Sequence, residues 1–349
     1  MSMRITDRSS TRNYLRYLNN ALYNQQNTMD QIQSGYRFKK VSDDVSDGVK
    51  NMRTKAEKYK ADVCKDNVDS IKDKLDTVDS TMTNIHDLFT NMDAMLEKAV
   101  TGTSSSQRQV YAQEADSTKS QVLQLLNTQY DNQYLFGGSN NYTAPFTVSS
   151  ETGELEYNNI PVSDIQQRDD GSYFYLDANN QPTEVPMNEK TYMNIGLDFR
   201  MNGANADPSS GFDVSYSGAD LLGFGKTADG KQNNLFNVLN EITQTLGNST
   251  VSTTEADSQK LSSLGTQLQT LNNRFLTQVT EVGSKDKFLS TLSDHLETTS
   301  DTLNEKMSSL VGTNTAEAST EEATDVAVTN ALYRLGSSVI PTSLMDFIK

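Results

Sequence analysis

The 349-residue sequence holds one cysteine, no tryptophan, two histidines and six prolines. A single thiol, Cys64, excludes an intrachain disulfide. It falls on an apolar helix seam, where a lone cysteine reads as a small hydrophobe. His86 and His295 each sit beside a seam residue, Ile85 and Leu296, and read as boundary residues rather than ligands. No apolar run approaches the ~20 residues that span a bilayer. The first residues, MSMRITDRSSTRNY, lack the apolar stretch of a cleavable secretory signal. Hydrophobic residues make up 35% of the chain and the mean hydropathy is -0.62. That is poor material for one large core and suits long exposed helices. Basic residues are also scarce, with 30 Lys and Arg against 46 Asp and Glu, a net charge of -16. Such a chain is repelled by phosphate backbones, which excludes nucleic-acid binding by the whole molecule.

The charge is unevenly spread. Residues 1–60 carry 12 basic against 6 acidic residues, whereas 143–231 carry 5 against 14 and 301–349 carry 3 against 7. Ends of opposite sign attract, within one molecule or between neighbours.

Hydrophobic spacing predicts helix, then sheet, then helix. Leu15, Leu18, Leu22, Met29 and Ile32 form a seam for a partner helix, which stops at Ser34-Gly35. Ala61, Cys64, Val68, Ile71, Leu75, Val78, Met82, Ile85, Phe89, Met92, Leu96 and Ala99 then alternate steps of three and four without a gap. This is the mark of a long coiled-coil-like helix that needs partners. A turn is expected at 101–106, followed by a returning helix from Gln107 to Tyr134 that makes an antiparallel pair. From about Tyr142 to Lys231 the period falls to two. Thr152-Gly153 and Asp170-Gly171 mark two hairpins, the first between Phe146–Val148 and Glu154–Tyr157, the second between Ile160–Gln167 and Ser172–Leu176. Pro161, Pro182, Pro186 and Pro208 also lie in this stretch. Helix returns at Leu235, and a second seam runs from Leu261 through Leu264, Leu268, Leu271 and Phe275 to Leu310. A last helix is expected over 320–339, ended by Pro341. The expected fold is mainly α with an inserted β domain: a long antiparallel helical rod with N- and C-terminal helices paired at one end. The expected divisions are 1–43 with 305–349 (terminal pair), 44–141 with 232–304 (rod) and 142–231 (β insertion).

Residues able to carry chemistry do not assemble into a site. Gly225-Lys226-Thr227 has the end of a phosphate loop, but the required upstream glycine is Asp220. Asp43, Asp44 and Asp47 lack calcium-loop spacing, and Ser42 or Asp43 reads as a helix N-cap. No Ser/His/Asp arrangement is suggested, so the chain is expected to be no enzyme and to hold no cofactor or metal.

Against this background, Ser34-Gly35-Tyr36-Arg37-Phe38 followed by Val41-Ser42-Asp43-Asp44 resembles the N-terminal signature of bacterial flagellins. Asn132-Gln133-Tyr134-Leu135-Phe136-Gly137-Gly138, followed by Pro145-Phe146, resembles the entry to the inserted domain of the hook-associated protein 3 family within that group. Asn234 to Leu239 resembles the exit, Met3-Arg4-Ile5-Thr6 the start, and Ser343 to Phe347 the end. Val45 stands where the family often has proline. The last helix is rich in Ala and Thr rather than Gln, and Pro341 interrupts it.

The resemblance implies a structural protein at the hook–filament junction. It would meet hook-associated protein 1 (FlgK) on the hook side, flagellin on the filament side and copies of itself in a helical ring. It implies export through the flagellar type III apparatus, a cytosolic chaperone beforehand, no membrane partner and an extracellular destination. The subunit-packing surface is expected at Leu15, Leu18, Leu22, Met29, Ile32, Ala327, Ala331, Leu335, Leu344 and Phe347. The rival readings are a flagellin filament subunit and a helical-stalk adhesin, whose β domain would use Tyr142, Tyr157, Tyr173, Tyr175 and Tyr192 on sugars.

Overall fold

In the computed structural model, residues 3–100, 105–138, 140–177, 179–185, 190–196, 199–202, 205–207, 210–247 and 255–339 are described. The uninterrupted heptad becomes part of one helix, α2 (Val45–Val100), which follows α1 (Met3–Ser34). After α3 (Ser105–Leu126) comes the β-rich stretch with the short helix α4 (Gly218–Leu222), then α5 (Leu235–Gly247), α6 (Glu255–Val311) and α7 (Thr315–Val339). The chain forms two compact units: Met1–Asp62 with Glu297–Lys349, and Val63–Leu296. Both α2 and α6 contribute to each.

In the Val63–Leu296 unit, Val68 through Ala99 of the predicted α2 seam is buried, with Leu261, Leu264, Leu268, Leu271, Phe275, Val282 and Leu289 of α6 in the same core. Polar pins fix the register between the two helices. Ser293 Oγ donates to Asp69 at 2.6 Å, and His86 Nδ1 lies 3.0 Å from Asn272 Oδ1. Asn272 also donates to Thr90 at 3.2 Å. Positions rise along α2 as they fall along α6, so the pair is antiparallel. Thus His86 serves the helix seam, as expected of a boundary residue.

The returning helix is shorter than its periodicity suggests. α3 ends at Leu126, and β1 (Gln129–Tyr130) and β2 (Gln133–Tyr134) form a tight hairpin in place of the last helical turns. The reason is local: Asp131 and Asn132 take φ of 50° and 59°, the left-handed pair that a two-residue hairpin turn requires. Asn127 seals the break by bonding both backbone groups of Phe146, at 2.9 and 3.2 Å.

The insertion contains several small antiparallel sheets. β3 (Phe146–Val148), β4 (Leu155–Tyr157) and β5 (Ile160–Pro161) form one, and Gly153 turns the first hairpin at φ 71°. β6 (Gln166–Gln167), β7 (Tyr173–Leu176) and β8 (Pro182–Glu184) form another, with Gly171 at φ 85°. The run from Ile160 to Gln167 is therefore not one strand. After Pro161 a 3-10 turn over Val162–Asp164 divides it between the two sheets. β9 (Tyr192–Met193) pairs with β12 (Phe212–Asp213), and β10 (Met201–Asn202) with β11 (Asn205–Ala206).

The sheets are held to the helices by asparagines. Asn234 is fully buried; its Oδ1 caps α5 by accepting from the amides of Phe236 and Asn237, at 2.9 and 3.1 Å, while its Nδ2 donates to the Gly223 carbonyl. Asn237 Oδ1 accepts from the Leu155 amide at 2.8 Å, and Asn240 Nδ2 donates to the Thr152 carbonyl at 3.2 Å. One face of α5 thereby grips the β3–β4 hairpin. Replacing Asn234→Ala removes the cap and leaves the buried Gly223 carbonyl without its donor. The expected loss is about 2 kcal/mol, read as a lower urea midpoint, with Asn234→Asp intermediate because it keeps only the cap.

Candidate functional site

The unit formed by the chain ends holds the expected packing residues. Gly35, at φ 72°, ends α1, a conformation that costs a residue with a Cβ. The next residues join the α6–α7 connection as a short backbone ladder. The Arg37 amide donates to the Val311 carbonyl at 2.8 Å, and the Thr313 amide donates to the Gly35 carbonyl at 2.9 Å. The Arg37 guanidinium reaches Asp47 at 2.7 Å, Asp44 at 3.2 Å and the Leu310 carbonyl at 3.2 Å. One arginine thus ties the stop of α1, the start of α2 and the end of α6. The cap of α2 is Asp44, whose Oδ1 accepts from the Asp47 amide at 3.1 Å, rather than Ser42 or Asp43. Asp43 instead accepts from the Lys40 amide at 3.2 Å and closes the preceding turn.

α1 and α7 pair antiparallel across a seam of small residues. Tyr14 Oη donates to the Leu332 carbonyl at 3.0 Å, and Thr28 Oγ1 donates to Asp325 at 3.1 Å. Tyr14, Ala21 and Thr28 are buried on one side, and Ala318, Thr329 and Gly336 on the other. Leu18 and Ile32 of the expected surface are half-buried in this seam. Leu15, Leu22 and Met29 face away from it and are exposed, Leu15 by 47% and Met29 by 46%. On α7, Ala327, Ala331 and Leu335 are likewise exposed. Leu344, Phe347 and Pro341 lie outside the described residues, as do Pro186, Pro208 and most of the expected turn at 101–106. The seam between α1 and α7 escaped sequence reading because its closest contacts use Tyr14, Ala21, Thr28 and Gly336. Large aliphatics mark a greasy face, whereas close backbone approach is marked by small residues at seven-residue intervals.

The other candidate residues carry structural duties. Thr227 closes a turn with Lys231, and Asp220 accepts from Tyr173 Oη at 3.0 Å. Burial and the neighbouring Asp220 carboxylate push the Tyr173 phenol up to about 12. Tyr157 is buried and donates to the Gly137 carbonyl at 2.7 Å, which removes it from any binding face. Tyr175 and Tyr192 are half-buried, and Tyr142 is exposed. Cys64 is half-buried beside Gly196. Among the described residues no cluster of three or more metal-binding side chains occurs, and no helix is long and apolar enough to cross a membrane.

Long antiparallel helices, helix connections joined at Arg37 and a β-rich insertion define the class of fold: a mainly helical rod with a β insertion. Residues 5–141 match the family model for the bacterial flagellin N-terminal helical region. A structure described as that of a flagellar hook-associated protein from Vibrio parahaemolyticus superposes with a TM-score of 0.55 at 13% identity, covering 77% of this chain and 100% of that one. FlgL from Bacillus cereus (TM-score 0.48, 17% identity, 73% and 98% covered) and hook-associated protein 3 from Legionella pneumophila (0.47, 16%, 73% and 98%) are also similar. No curated protein matches the sequence. The chain is flagellin-like over its N-terminal helices, and its fold is similar to that of the Vibrio hook-associated structure.

Two tests follow from this geometry. A methyl group on Gly336 would overlap the Tyr14 hydroxyl and ring. Gly336→Ala is expected to destabilise the α1–α7 pair by about 1–3 kcal/mol, partly offset by better helix propensity. Faster amide exchange in both helices reads this out, and adding Tyr14→Phe, which deletes the overlapped hydroxyl, should restore part of the protection. The second test concerns pH. The Arg37 guanidinium, then Lys50, hold the Asp47 carboxyl below its ordinary value of 3.8. A carboxylate with a depressed folded value contributes stability that is fully present above the ordinary value and is lost as pH falls through the folded one. Protection of the Asp47 and Thr313 amides, corrected for intrinsic exchange, should therefore be level near neutrality and fall in acid below pH 3.8, with Asp47→Asn flattening the profile.

Proposed function

We propose that this chain is a structural subunit of the bacterial flagellum, forming the layer between hook and filament on the filament side, on which flagellin polymerises. The observation that carries the reading is the second apolar face of the terminal pair. Leu15, Leu22 and Met29 recur at seven-residue steps on α1, outside the intramolecular seam and in water. Ala327, Ala331 and Leu335 do the same work on α7. A heptad stripe left exposed on a paired helix is surface that another helix covers on assembly. The flagellin N-terminal region and the hook-associated fold supply the context.

On this reading hook-associated protein 1 (FlgK) lies on the hook side, flagellin on the filament side, and further copies lie around the layer. Leu18 and Ile32 support the stripe from the seam, and Leu344 and Phe347 extend the packing surface at the tail. The terminal pair (1–43 with 305–349) is the assembling part, carried by the rod (44–141 with 232–304), with 142–231 as the insertion. The chain leaves the cell through the flagellar type III apparatus, held by a cytosolic chaperone beforehand, and works outside it. Deleting the gene and imaging the cells by electron microscopy tests the assignment. The expected result is hooks without filaments and unpolymerised flagellin in the medium. Filaments of normal number and length on the deletion strain would overturn it.

A further inference from the structure

The first turns of α2 carry two seams, and among the described residues only one of them is used within the chain. The inward one passes through Thr54 and Ala61, both buried. On the opposite side Val45, Val49, Met52, Ala56 and Tyr59 follow at steps of four, three, four and three, the spacing of coiled-coil a and d positions. All five are exposed, Met52 by 61% and Tyr59 by 70%. Of the positions that flank such a seam, Ser46 and Gly48 are uncharged, whereas Arg53, Lys55 and Lys60, toward its C-terminal end, are basic. Among the described residues no ion pair engages these three, whereas Lys50 and Lys58, off the seam, are paired with Asp47 and Asp62.

α7 carries a strip of the same pitch. Glu317, Glu321, Thr324, Val328, Ala331 and Leu335 are exposed at steps of four, three, four, three and four. It is apolar toward its C-terminal end and acidic toward its N-terminal end, where Glu322 and Asp325 add to the charge. Read forward from Val45, the α2 strip stays apolar while its flanks pass from uncharged to basic. Read backward from Leu335, the α7 strip passes from apolar to acidic.

We propose that these strips are the two halves of a contact between copies of this chain, with α7 of one copy lying antiparallel along the first turns of α2 in the next. Only the antiparallel direction sets the apolar half of the α7 strip against Val45, Val49 and Met52 and its acidic half against the base-flanked end of the α2 strip. The register sets Val45 against Leu335, Val49 against Ala331, Met52 against Val328, Ala56 against Thr324 and Tyr59 against Glu321. Each a position then meets a d position; Arg53 lies nearest Asp325, which also accepts from Thr28 of its own chain, and Lys60 lies nearest Glu317 and Glu321. The α1 strip is the poorer occupant, because it carries Arg12 and Arg16 and would set like charges together. The two strips differ, so each copy gives one and receives on the other. Such a contact propagates along a series of copies rather than closing as a twofold dimer. The inference rests on the proposed reading that copies pack on one another, and it adds which faces meet and in which register.

The test uses the full chain with Cys64→Ser, so that each variant has one thiol. A Met52→Cys chain is mixed with a Val328→Cys chain and oxidised mildly, and the products are read by non-reducing electrophoresis. The expected result is a mixed dimer in excess of either homodimer. It should also exceed the dimer from Met52→Cys with Leu335→Cys, which is one heptad out of register. High salt should slow it. Lys60→Glu should slow it several-fold, and Glu317→Lys with Glu321→Lys on the other chain should bring it back. All of these positions are exposed, and far-UV circular dichroism verifies that each variant stays helical. A mixed dimer that forms no faster than the out-of-register one, that ignores charge reversal, or that forms at no concentration overturns the contact. A chain that gains mass with concentration yet never forms this dimer assembles through another face; that result sinks the register and leaves the junction assignment to the deletion strain.

Discussion

A helix with a continuous heptad seam cannot bury that seam alone, and this constraint organises the molecule. α2 answers it in the larger unit with α6, whose seam runs the opposite way. Leucine and phenylalanine supply most of the attraction, while polar pins such as Asp69–Ser293 and His86–Asn272 choose one register from several that would bury similar area. The division of labour is general: apolar contact is nearly indifferent to a slip of seven residues, whereas a hydrogen bond formed away from bulk water is not.

The terminal unit meets the same constraint with different materials. Ala21, Thr28, Thr329 and Gly336 bring two backbones close, and Tyr14 is the large side chain buried between them. The backbone ladder at Gly35 and Arg37 then holds the connections of both helices together. Arg37 shows why an exposed arginine can matter when an isolated surface ion pair does not. It joins two carboxylates at the start of α2 and a carbonyl at the end of α6 to its own stretch of chain, so its role is geometric first and electrostatic second.

Much of this architecture was legible in the residues. The rod seam from Ala61 to Ala99, the stop at Gly35, the hairpin turns at Gly153 and Gly171 and the return to helix at Leu235 all follow from spacing and turn chemistry. Periodicity misled where a local hydrogen bond outranked it. Asn127 and the left-handed Asp131-Asn132 pair end α3 before the apolar pattern does. Pro161 and a 3-10 turn split a run that alternates like a single strand. The α5 asparagines were invisible as a group, because a buried amide has no periodic signature until its backbone partners are known. The candidate surface was half legible: Leu15, Leu22 and Met29 stand out as a stripe, but the residues that pair α1 with α7 are too small to announce themselves.

That smallness has a thermal corollary. The heat capacity released on unfolding scales with the hydrocarbon newly hydrated. A helix pair joined largely by alanine, threonine and glycine, with Tyr14 as its large buried side chain, hydrates less on unfolding than an all-leucine seam, so its stability curve is expected to be shallower. Warming or chilling by a few tens of degrees would alter its looseness only slightly. The pairing of the two end helices is thus expected to change little between cold and warm surroundings.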